Sequence, residues 1–78
     1  MMGEIERNLG EQPIARLMAA GGLASKDLVA AAPEPITFKM VSRACKGRRL
    51  TPHVQIKVLK ALNQAAGKNH ALRDLFNY

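Results

Sequence analysis

From Pro13 onward the apolar residues recur at the spacing of one helix face, and no stretch alternates apolar with polar as a half-buried strand would. Ile14, Leu17 and Met18 form the first stripe, starting just behind Pro13 at a favoured first helical position and stopped by Gly21-Gly22. Leu28, Val29 and Ala32 form the second; it is predicted to open at Ser25 as N-cap, with Asp27 in the first turn, and to end at Pro33. A third helix runs from a Thr37 cap to Gly47, with Val41, Ala44 and Cys45 on its inner face. The fourth starts at Thr51-Pro52 and closes at Gly67, carrying Val54, Val58, Leu62 and Ala65, widened by Leu59 and Ala66. A last short helix is predicted over about 69–77, with Leu72, Leu75 and Phe76 on one side. It either completes the core or offers an apolar patch to a second copy. Leu23, Ile36 and Leu50 are the connecting-segment residues expected to plug the core. The pattern therefore predicts an all-α fold: a compact bundle of four to five short helices over 13–78, preceded by a flexible arm over 1–12 in which Ile5 and Leu9 are the candidate anchors.

Seventy-eight residues make one small domain, with a core that needs close helix packing or a partner. The single cysteine excludes an internal disulfide and any multi-cysteine metal site, which fits a reducing cytoplasm. The acidic, polar start does not resemble a secretory signal, and no apolar run approaches the ~18 residues of a membrane span. Charge changes the picture most. The chain carries +6, but residues 1–36 hold three Lys or Arg against five Asp or Glu, whereas residues 37–78 hold nine against Asp74 alone. Segregation of this kind gives the domain a positive side, for which a polyanion is the natural partner. Phe38, Phe76 and Tyr78 are the only aromatics, too few for a platform that stacks single-stranded bases.

The positive charge concentrates in Thr37–Arg49, TFKMVSRACKGRR. Lys39, Ser42, Arg43 and Lys46 share one helical face, and Arg48 and Arg49 follow Gly47, with no acid in the stretch. Ser25-Lys26-Asp27-Leu28 opening helix 2, the run Met40-Val41-Ser42-Arg43-Ala44-Cys45-Lys46-Gly47-Arg48, and Thr51-Pro52-His53 followed by Lys57-Val58-Leu59-Lys60-Ala61-Leu62 together resemble the lambda-repressor-like helix-turn-helix class. That class includes phage repressor and Cro-type domains and the headpieces of lactose-repressor-type regulators; the likeness covers about residues 13–66. The resemblance implies that helix 3 enters the major groove while helix 2 crosses the backbone. It also implies roles: Thr37, Phe38 and Lys39 at base edges, Ser42 and Arg43 as the next contacts, and Ser25, Lys46, Arg48 and Arg49 at phosphates. Arg43 is the residue expected to fork onto guanine. Phe38 is equally placed for the core or for a thymine methyl. The segment Ala32-Pro33-Glu34-Pro35-Ile36 departs from the class, whose turn has about three residues and commonly a glycine, and it brings Glu34 toward the DNA backbone.

No catalytic constellation, glycine-rich phosphate loop or metal-ligand cluster is present, so neither an enzyme nor a cofactor is expected, and no small-molecule ligand is evident. His53 and His70 stand alone, and Cys45 reads as a small inward-facing residue. The expectation is a cytoplasmic, in a bacterium nucleoid-associated, regulator that prefers certain double-stranded DNA sequences. One such module buries only about 600–1,000 Å², so tight binding calls for a homodimer or a fused partner. Leu72, Leu75 and Phe76 are the candidate dimer surface. The alternatives are a helical adaptor whose basic face meets an acidic protein, and a binder of structured RNA.

Overall fold

A computed structural model describes residues 10–77, which form five α-helices and, among those residues, no strand. They are α1 (Pro13–Ala20), α2 (Ser25–Ala31), α3 (Phe38–Lys46), α4 (Pro52–Ala66) and α5 (Leu72–Leu75). The predicted all-α bundle is thus what the chain forms. Residues 1–9, including the proposed anchors Ile5 and Leu9, lie outside the described residues.

Helix ends follow local chemistry. The hydroxyls of Thr37 and Thr51 accept from the N–H groups of Met40 and Val54, at 3.1 and 3.3 Å, satisfying donors that have no partner within the helix. α1 ends in a pair of back-bonds, Gly22 N–H to Ala19 O and Leu23 N–H to Met18 O, which folds Leu23 onto the core as expected. α2 corrects the prediction by one residue. Ala24, not Ser25, is its N-cap, because the Asp27 carboxylate reaches back to accept from the Ala24 N–H at 2.7 Å. The last helix is shorter than 69–77. The Asn63 side chain accepts from the His70 N–H at 2.8 Å and donates to the His70 carbonyl at 3.1 Å, holding that segment off the helical path.

The core lies where the inner stripes meet. Ile14, Leu28, Val41, Ala44, Val58, Ala61, Leu62 and Leu75 are buried, with Ile36 and Leu50 plugging it from the connections. α4, the longest helix, packs on α2, α3 and α5, and α1 bridges α3 and α5. Leu75 and Phe76 belong to this core and Leu72 packs against it, so the candidate dimer surface is corrected: α5 spends its apolar side inside its own protomer. A domain of this size cannot leave that area exposed.

Gln12, at the end of the expected 1–12 arm, is buried, with neither side-chain polar atom left without a partner. Its backbone N–H donates to the Cys45 carbonyl at the end of α3 at 3.0 Å. Its side-chain amide donates to Gly10 O at 2.9 Å, and its side-chain oxygen accepts from the Asn77 N–H at 2.7 Å. One glutamine therefore ties the entry segment, the end of α3 and the end of the described chain together. Gly47 completes this junction. Its φ of +88° ends α3 in the left-handed region, and a Cβ there would overlap the Gly10 backbone.

Candidate nucleic-acid interface

α3 is strongly two-sided. Val41 and Ala44 are fully buried and Cys45 half-buried on the inner side, while Lys39, Arg43 and Lys46 are exposed on the outer side with Ser42 half-buried between them. The Thr37 cap and the left-handed Gly47 fix both ends of the helix, so the face is held rather than frayed. Lys39, Ser42, Arg43, Lys46 and Arg48 surround one shallow open depression of about 220 Å³. Among the described residues, no carboxylate stands within ion-pair distance of Lys39, Arg43, Lys46 or Arg49.

The remaining predicted contacts spread around this centre. Thr37 and Phe38 sit at the N-terminal end of α3; Phe38 is 59 % exposed, which settles its place as outside the core. Arg49 is exposed beyond Gly47 but does not border the depression. Ser25 is half-buried at the first position of α2 and does not border the basic depression. Glu34 forms an exposed ion pair with Lys60 of α4 at 3.6 Å, so its charge is partly offset within the protein.

Two features were not anticipated. Glu11 shares a second shallow hollow with Ala15, Cys45 and Lys46, so a carboxylate flanks the far end of a face that is free of acids in sequence. Ile56 is 40 % exposed on the outer side of α4. Burial, and then the negative charge of Glu11, push the Cys45 thiol above its ordinary value, and its S–H donates to Met18 Sδ at 3.7 Å. Cys45 thus packs against Met18, and both causes disfavour its thiolate. No group of three or more His, Cys, Asp or Glu residues suited to a metal occurs among the described residues. No helix among them is long and apolar enough to cross a membrane.

Compared with known protein families, curated proteins and solved structures, the chain matches none of them.

Proposed function

We propose that this chain binds double-stranded DNA with a sequence preference, with α3 as the element that enters the major groove, and that it acts as a small cytoplasmic transcriptional regulator. The observation that carries this reading is the outer face of α3: Lys39, Arg43, Lys46 and Arg48 gathered around one depression, on a capped helix whose opposite face is locked into the core. Such a face releases condensed counterions from a duplex, a term that supplies affinity regardless of sequence. The exposed Thr37–Lys39 end of α3 is the part offered to base edges, in keeping with the lambda-repressor-like resemblance. α2 precedes α3 as in that class, across a connection, residues 32–37, that is longer than the class's turn.

Fluorescence anisotropy with a random 30-bp duplex across a salt series tests the reading. Affinity is expected to fall linearly on a log–log salt plot, and Lys39→Ala and Arg43→Ala to weaken it further. Absence of binding even at low salt would remove the DNA reading. The adaptor alternative draws on the exposed apolar side chains of Phe38 and Ile56, which a protein partner would bury. A stable complex with an acidic protein, abolished by Phe38→Ala and indifferent to competing duplex, would favour it.

A further inference from the structure

We propose that the depression on α3 is a discrete oxyanion site that seats a single phosphate group, and that Arg43 serves this phosphate instead of a base edge. The inference rests on the polyanion reading for its natural ligand, an internucleotide phosphate. The site itself is argued from its own chemistry.

Three observations converge. The first is donor type. Lys39, Arg43, Lys46 and Arg48 line one concavity, and no acceptor side chain other than the Ser42 hydroxyl is among its lining residues. An arginine fork matches two oxygens of a phosphate, and lysines add point charge around it. The second is the state of Ser42. It is the half-buried member of the set, and its hydroxyl has no hydrogen-bond partner among the described residues, so it is free to donate to an anion held between the cations. The third is size. At about 220 Å³ the depression falls below the ~300–1,000 Å³ of pockets that enclose drug-sized ligands, which suits a tetrahedral anion with part of its hydration.

The placement has a consequence for recognition. Arg43 lies between Lys39 and Lys46 along the helix, one turn from each, so an anion seated there draws all three together. A guanidinium engaged with phosphate is not available to fork onto guanine. Base reading then falls to the Thr37–Phe38 end of the helix, and Arg43 sets register.

The test is a two-dimensional NMR titration of the full chain with inorganic phosphate at constant ionic strength, chloride replacing phosphate in the control. The expected result is saturable shifts of the Ser42, Arg43 and Lys46 amides with phosphate and not with chloride. Arg43→Ala should weaken phosphate binding about tenfold, and Ser42→Ala severalfold, with the rest of the spectrum unchanged. A parallel arm adds duplex DNA and asks whether it displaces phosphate. Phosphate binding with displacement supports both the site and the DNA reading. Phosphate binding without any duplex binding keeps the site, assigns it to a free phosphorylated ligand and removes the DNA reading. Duplex binding with phosphate shifts no different from chloride overturns the site and leaves the DNA reading standing. No response to either overturns both.

Discussion

The outer face of α3 and the junction at its C-terminal end are built in opposite ways. At the junction every polar group of Gln12 has a partner: Gly10, Ala15, Cys45 and Asn77 each share one bond with it, and Gly47 lets two backbones touch. On the face, within the same nine-residue helix, cations stand together without a described carboxylate in ion-pair range, and Ser42 has a free hydroxyl. Satisfied polar groups report on what holds the chain together. Exposed cations kept close on a rigid element, with no described acid in ion-pair range, are what the proposed binding face rests on.

Gly47 is the junction position most sensitive to substitution. Gly47→Ala places a Cβ into the Gly10 backbone and an alanine in the left-handed region. A loss of about 3 kcal/mol is expected in urea unfolding, part of it from the left-handed conformation alone. A loss under about 0.5 kcal/mol would show that the contact with Gly10 is dispensable. Gln12→Ala comes next. It leaves the Asn77 N–H and the Gly10 carbonyl without their side-chain partner, and should cost about 1–3 kcal/mol by the same measurement.

Smaller effects sharpen the contrast. Lys60→Ala removes the exposed pair with Glu34 and should cost at most about 1 kcal/mol, less at high salt. Arg43→Ala should change stability by no more than about 0.5 kcal/mol while reducing the salt slope of duplex binding by about one. A large stability loss there would place Arg43 with the junction. Finally, Cys45 should react with iodoacetamide more slowly than in the urea-unfolded chain at pH 8, since a raised thiol value leaves less thiolate. Glu11→Gln should narrow the difference in part, because burial is the larger cause and Glu11 the smaller.

The two regions were unequally legible in the sequence, for a physical reason. The face of α3 is local: caps at Thr37 and Gly47 and a four-residue periodicity of charge are readable from neighbours along the chain, and the structure places Lys39, Ser42, Arg43 and Lys46 together as that periodicity requires. The junction is not local. Gln12 meets Asn77 across 65 positions, and nothing in its neighbours distinguishes it from a solvated glutamine. Long-range packing likewise decided that Leu75 and Phe76 turn inward, and that Glu11 arrives beside Lys46. At two helix ends a side chain overrides the local pattern: Asp27 makes Ala24 the N-cap of α2, and Asn63 keeps α5 short.

The central claim is that the outer face of α3 is the binding surface and the junction beneath it is scaffold. Amide shift mapping of the labelled full chain with a short random duplex tests it most directly. Shifts concentrated at Thr37–Lys46 and Arg48, with Gln12 and Asn77 unmoved, are predicted. Shifts centred on another surface, or none at low salt, would contradict it.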